Sequence, residues 1–221
     1  MSCKSSRPTA VITGASSGIG AAVAINLIKD GWNVCMIARS YDKMKNITEK
    51  YKNLNNHVKI IQCDALKPSQ IISSCKQIKL WSDNNVNLLF NNIGGPSNNS
   101  LGGCLEECTL NDWNNILNLN LRTSFLFTQQ LLSSLKNAAT IPCKYNNNIY
   151  DACIINNSSV AAKDISFYSV SIPYSISKSA INQLNKLNAL ELSKYKIRVN
   201  CIAPGNIKTP IWGNLGYKSK N

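Results

Sequence analysis

The chain has 221 residues, 44% of them hydrophobic and 16% charged, which suits one α/β domain with an ample core and excludes a disordered chain. A formal charge of +13 raises nucleic-acid binding, but the lysines are scattered over 43–52, 76–79, 186–196 and 218–220 without aromatic interleaving. A solvated basic surface is therefore expected, with polyanion binding as a minority alternative.

The nine cysteines form no CxxC pair. Cys35, Cys63, Cys153 and Cys201 fall inside apolar runs, which reads as buried free thiols in a reducing compartment. Cys104 and Cys108 are four apart, but the lone histidine, His57, has no ligand-like spacing to them, so no metal is expected. Residues 1–8 are polar and basic and no stretch approaches a membrane span, so a cytoplasmic protein without membrane contact is expected.

In chain order, strand-like runs at 10–12, 34–38, 58–63, 88–90, 153–156 and 199–202 alternate with helical patterns at 18–29, 42–52, 69–79, 110–136 and 175–194. Short asparagine runs at 53–56, 84–87 and 146–148 lie between periodic segments, and 142–151 reads as a surface loop. Continuous apolar strands separated by helices predict an α/β fold, a Rossmann-type doubly wound parallel sheet in three α/β/α layers. Ligands then bind outside the strands' carboxyl ends. Residues 1–221 read as a single NAD(P)-binding domain.

The first strand runs into Thr13-Gly14-Ala15-Ser16-Ser17-Gly18-Ile19-Gly20, and helical periodicity follows. Glycines allow backbone angles and close approaches that a Cβ would block, and the next helix offers unpaired N–H groups to a pyrophosphate. At the end of the second strand, where a free ribose 2′-OH needs a carboxylate, stand Ala38, Arg39 and Ser40. A guanidinium and a hydroxyl there favour a 2′-phosphate, hence NADP(H) over NAD(H), although Asp42 is close in sequence.

In Tyr174-Ser175-Ile176-Ser177-Lys178, positions i and i+4 share a helix face. The lysine charge is expected to lower the phenol's pKa and fit it for proton delivery to a carbonyl. Upstream, 154–159 is a buried strand ending in hydroxyls, from which Ser159 could hydrogen-bond the substrate oxygen.

Together these motifs resemble the short-chain dehydrogenase/reductase family over roughly residues 8–210. Thr13–Gly20 resembles that family's TGxxxGxG, and the resemblance implies dinucleotide contacts from Gly14, Ser16, Ser17, Gly18, Ile19 and Gly20. It places the adenine at Asp64 and its neighbour Ala65. Asn91-Asn92-Ile93-Gly94 resembles NNAG, with Asn91 nearest the cofactor and Gly94 beside it. Asn120 matches the catalytic asparagine, whose distorted helix holds a water leading to the lysine. Ser159, Tyr174 and Lys178 match the remaining catalytic positions, the last two also touching the cofactor. Residues 197–200 and 204–209 resemble IRVN…PGxxxT, which adds Pro204, Gly205, Ile207 and Thr209 to the cofactor site.

The implied activity is reduction of a ketone, aldehyde or 3-oxoacyl-type carbonyl. The alternative is a catalytically weak NADP(H)-binding protein acting through binding or assembly. Ile93 stands where the family has alanine, and 15 residues separate Ser159 from Tyr174 (174 − 159), a slightly long spacing that enlarges the loop bordering the substrate. Residues 211–221 supply neither the family's substrate lid nor its last strand, so an exposed outer strand at 199–202 is expected. Leu126, Leu131, Leu184, Leu187 and Leu190 recur on the two long helices that relatives use for dimerisation, so a homodimer or homotetramer is expected.

Overall fold

The computed structural model describes residues 7–51, 57–95, 105–163 and 172–210. The asparagine run at 53–56, Cys104, most of the loops 96–108 and 160–173, and the segment 211–221 lie outside the described residues.

Six strands form one sheet: β1 (Thr9–Thr13), β2 (Asn33–Ala38), β3 (Val58–Gln62), β4 (Leu88–Asn91), β7 (Cys153–Asn157) and β8 (Arg198–Ile202). Their order is β3-β2-β1-β4-β7-β8, and every neighbouring pair is parallel. The predicted doubly wound sheet is what the structure shows. Strand order reverses between β1 and β4, so a crevice opens at their carboxyl ends.

Alternate residues of each strand feed two cores. Val11, Cys35, Ile37, Leu89 and Ile154 pack with Ile71, Ile78, Phe127, Leu131 and Leu192 from α3 (Pro68–Trp81), α5 (Thr123–Thr140) and α6 (Ile172–Leu192). On the opposite face Ala10, Ile12, Met36 and Phe90 meet Ala24, Ile28 and Met44 from α1 (Gly18–Lys29) and α2 (Tyr41–Glu49). Burial on both faces explains why these strands read as unbroken apolar runs.

The pattern at 110–136 is helical throughout, as α4 (Leu110–Leu117), a π-helical turn at Asn118–Arg122, and α5, and that turn is the distortion the resemblance implied at Asn120. A capping box starts α4, with Thr109 Oγ1 accepting from the Asp112 N–H. One expectation needs correction. The supposed loop at 142–151 holds an antiparallel hairpin, β5 (Cys143–Tyr145) and β6 (Asn148–Tyr150). Asn146 and Asn147 turn it with φ of 46° and 60°, the left-handed pair that a two-residue hairpin turn requires. Its aromatics pack on the far end of the sheet: Tyr150 stacks edge-on to Trp32 at 4.7 Å, and Arg7 lies 5.5 Å over the Tyr145 ring. Among the described residues β8 is an outer strand, with Val199 buried and Ile202 41% exposed.

Candidate active site

The glycine turn is built by backbone conformation. Gly14 and Gly18 have φ of 69° and 55°, which side chains disfavour. The N–H groups of Gly14 and Ala15 donate to the Ile37 carbonyl at 2.8 and 3.1 Å, tying the turn to the end of β2. A Cβ on Gly20 would collide with the Gly14 carbonyl, so the strand and α1 can come this close only through glycine. Ser17, at the helix N-cap, makes no side-chain capping bond, and the first turn of α1 leaves N–H groups aimed into the crevice. Ser16 and Ile19 are partly buried on the same turn, while Ser17 is exposed. These residues fit the pyrophosphate of a dinucleotide.

Beyond the turn, Arg39 is exposed at the end of β2 and, among the described residues, makes no ion pair. Its carbonyl accepts from Gln62 Nε2 at 2.9 Å. Ser40 is the N-cap of α2 and Asp42 lies in the first turn of that helix. After β3, Asp64 Oδ1 accepts from the Leu66 N–H at 3.1 Å, and the Asp64 N–H donates to Gln70 Oε1 at 2.7 Å. Ala65 between them is buried. Arg122, which sequence reasoning missed, donates from Nη2 to the Leu66 carbonyl at 2.8 Å and links this loop to the π turn.

At the end of β4 the two asparagines face opposite ways. Asn91 is buried, donating to Thr128 Oγ1 and Asn156 Oδ1 at 3.0 Å each, so its amide belongs to the sheet's interior. Asn92, not Asn91, lies against the glycine turn. Its Nδ2 donates to the carbonyls of Thr13 and Gly14 at 3.1 and 3.4 Å. Ile93 is accommodated by packing against the larger core.

Asn120 sits in the π turn and is 1% exposed. Its Oδ1 accepts from the Gly95 N–H at 3.0 Å, and its Nδ2 donates to the Gly95 and Ile116 carbonyls at 2.9 Å each. In this π turn the Ser124 hydroxyl donates to the Asn120 carbonyl at 3.1 Å. A Cβ on Gly94 would collide with Asn120 Oδ1 and lie 3.0 Å from Lys178 Nζ, so Gly94 lets these two groups converge.

Tyr174 and Lys178 share a face of α6, with Nζ 5.6 Å from the ring centroid. Lys178 is 3% exposed and donates to the Asn157 carbonyl at 2.8 Å. Burial pulls its pKa down to about 8, a nearby Cys201 thiol opposing the shift slightly. Between that pH and the ordinary lysine value near 10.5 the unfolded chain binds the extra proton. The cost of burying this amine therefore shrinks as pH rises through that window.

Tyr174 departs from expectation. Burial pushes its phenol above its ordinary value, opposed by a hydrogen bond with Ser159. Desolvation here outweighs the lowering expected from the lysine charge. Ser159 also accepts from the Ala161 N–H at 3.2 Å, which fixes it at the start of a 3-10 turn, Val160–Ala162. Ser159, Tyr174, Lys178 and Asn120 thus gather at the carboxyl ends of β4 and β7.

The segment after β8 closes the far side. The Pro204 carbonyl accepts from the Val160 N–H at 3.1 Å, and Gly205 passes near the Val160 side chain. Thr209 comes down on Gly18, its methyl 3.3 Å from where a Cβ would stand, and Ile207 is 45% exposed. Asn157, also missed, donates from Nδ2 to Asn92 Oδ1 at 2.8 Å. Two consecutive asparagines closing an apolar strand were the available signal.

The model of the family described as short chain dehydrogenase matches residues 8–220. A dehydrogenase/reductase SDR family member 6 from Xenopus laevis is 32% identical over 200 residues, covering 90% of this chain and 71% of the relative. A 3-oxoacyl-acyl-carrier-protein reductase from Buchnera aphidicola is 29% identical over 214 residues, covering 96% and 78%. The structure of L-sorbose reductase from Gluconobacter frateurii with NADPH and L-sorbose superposes with a TM-score of 0.80 at 26% identity, covering 93% of this chain and 72% of that one.

Proposed function

The chain belongs to the short-chain dehydrogenase family, and on that premise we propose that it reduces a ketone, aldehyde or 3-oxoacyl-type carbonyl to an alcohol with NADPH. The observation that carries this reading is the convergence of Ser159, Tyr174 and Lys178 beside a glycine turn shaped for a pyrophosphate. Relatives named as 3-oxoacyl and sorbose reductases support the carbonyl class.

Gly14, Ser16, Ser17, Gly18, Ile19 and Gly20 would hold the pyrophosphate. Asp64 and Ala65 would border the adenine, Asn92 and Gly94 the ribose side, and Pro204, Gly205, Ile207 and Thr209 the nicotinamide. The bound cofactor supplies hydride. Ser159 hydrogen-bonds the carbonyl oxygen and stabilises the charge that develops there. Tyr174 gives that oxygen its proton, and a phenol held protonated well past neutrality suits the direction of reduction. Lys178 holds the ribose hydroxyls and steadies the phenolate left behind. The Asn120 backbone would hold a water from which a proton returns to Lys178.

Arg39 and Ser40 would take the 2′-phosphate. Charge-assisted bonds from an exposed guanidinium are worth about ten- to a hundredfold in affinity. Arg39→Leu should therefore weaken NADPH by that factor while leaving NADH within about twofold. Fluorescence titration of both cofactors, followed by a carbonyl scan monitored through NADPH absorbance, checks the whole reading. Equal wild-type affinity for NADH would overturn the phosphate assignment, and tight NADPH binding without turnover of any carbonyl would favour the binding-only alternative.

A homodimer through α5 and α6 completes the proposal. Phe125, Ile176, Leu187 and Leu190 expose 45%, 42%, 54% and 77% of their surface on these helices, an apolar area suited to a second copy. Sedimentation should give at least twice the 24.3 kDa chain mass, and Phe125→Glu with Leu187→Glu should shift it to the monomer.

A further inference from the structure

We propose that Asn157 is a positioning residue for Lys178, tying the carbonyl that receives the lysine ammonium to the glycine turn through Asn92. This rests on the reading of Lys178 given above. The β4–β7 ladder ends at the pair Asn91–Asn156, where β4 turns away to open the crevice. One residue later β7 is still held by β8, with Asn157 opposite Ile202, but it has no main-chain partner on the β4 side.

A side-chain bond spans that gap. Asn157 Nδ2 donates to Asn92 Oδ1 at 2.8 Å, and Asn92 Nδ2 in turn donates to the carbonyls of Thr13 and Gly14. The Asn92 N–H is also fixed, donating to Thr13 Oγ1 at 2.9 Å. Residue 157 therefore carries two functions: its side-chain amide is tied through Asn92 to the end of β1, and its main-chain carbonyl accepts Lys178 Nζ at 2.8 Å. An apolar side chain here would leave Asn92 Oδ1 unpaired beside the pyrophosphate turn and release the strand end that aims the carbonyl. Asn157 Oδ1 is itself buried without a partner among the described residues, so this amide gains little locally beyond the link to Asn92.

Lys178 faces two other titratable groups, Tyr174 on its own helix and Cys201 on β8. Neither is touched by a change at 157, so the lysine's own titration reports its carbonyl contact. Competitive chemical labelling of Lys178, read by mass spectrometry across pH on the protein without cofactor, measures it directly. In Asn157→Val the main-chain carbonyl remains but loses its anchor, and its displacement from Lys178 should lower the titration midpoint and raise amine reactivity at neutral pH. The kcat for carbonyl reduction should fall roughly tenfold while NADPH affinity stays within about twofold, because a small misplacement at the reacting centre costs rate more than binding. Asn157→Ser gives the same comparison in a milder form should valine cost the fold. An unchanged Lys178 titration in a folded variant overturns the inference. The labelling needs neither cofactor nor turnover, so failure of the wild type to bind NADPH would overturn the proposed function and leave this test readable.

Discussion

Tyr174→Phe should lower carbonyl reduction by about a thousandfold or more while NADPH still binds within about twofold of wild type. The change removes one oxygen from a half-buried ring, and the ring's packing on α6 survives it. What is lost is the phenolic hydroxyl that hydrogen-bonds Ser159 at this end of the sheet. Without that proton, charge developing on the substrate oxygen meets only the Ser159 hydroxyl. General-acid contributions of roughly a hundred- to ten-thousandfold set the expected scale. Because burial holds the phenol above its ordinary pKa, the wild-type rate of reduction should stay level through neutral pH and decline only in alkaline solution. Stopped-flow NADPH oxidation as a function of pH, beside a fluorescence titration of each protein, separates the two quantities. Retention of more than about a tenth of wild-type kcat would remove Tyr174 from the mechanism.

Spacing alone placed Tyr174 and Lys178 on one face, because helical geometry is local. Spacing could not set the balance between a nearby charge and desolvation. That balance depends on α6 packing so tightly against the π turn and β7 that the lysine is almost wholly buried. The same division runs through the chain. The doubly wound sheet followed from apolar strands alternating with helical patterns, and the glycine turn from its own residues. Periodicity did not reveal the π turn at Asn118–Arg122, and only the resemblance pointed to a distorted helix at Asn120. The hairpin at 143–150 was hidden by asparagine abundance, although adjacent asparagines tolerating positive φ were its signal. Asn91 and Asn92 show the limit most plainly. Neighbouring side chains on a strand point to opposite faces, so which of the two meets the crevice depends on a register that no motif encodes.

Gly20→Val should cost more than a hundredfold in NADPH affinity, and it should do so through the backbone. A Cβ at this position would overlap the Gly14 carbonyl, and behind that carbonyl lies the Asn92 amide, which already donates to Thr13 and Gly14. The Gly14 carbonyl is backbone, and the end of the Asn92 side chain is held by its own bonds to Thr13 and Gly14. Relief therefore requires α1 to withdraw from the end of β1, which carries its first-turn N–H groups away from the place where a pyrophosphate would sit. The interactions at stake are several charge-assisted bonds to backbone donors, each worth about 1.5–3 kcal/mol, so loss of two of them exceeds a hundredfold. A drop in thermal stability should accompany Gly20→Val, because Gly20 is buried and α1 anchors the smaller core through Ala24 and Ile28. Calorimetric titration with NADPH at a temperature where the variant remains folded isolates the binding effect from that loss. Near wild-type affinity in a folded Gly20→Val protein would mean that the dinucleotide does not lie on this turn, and the roles given to Arg39, Asn92 and Thr209 would fail with it.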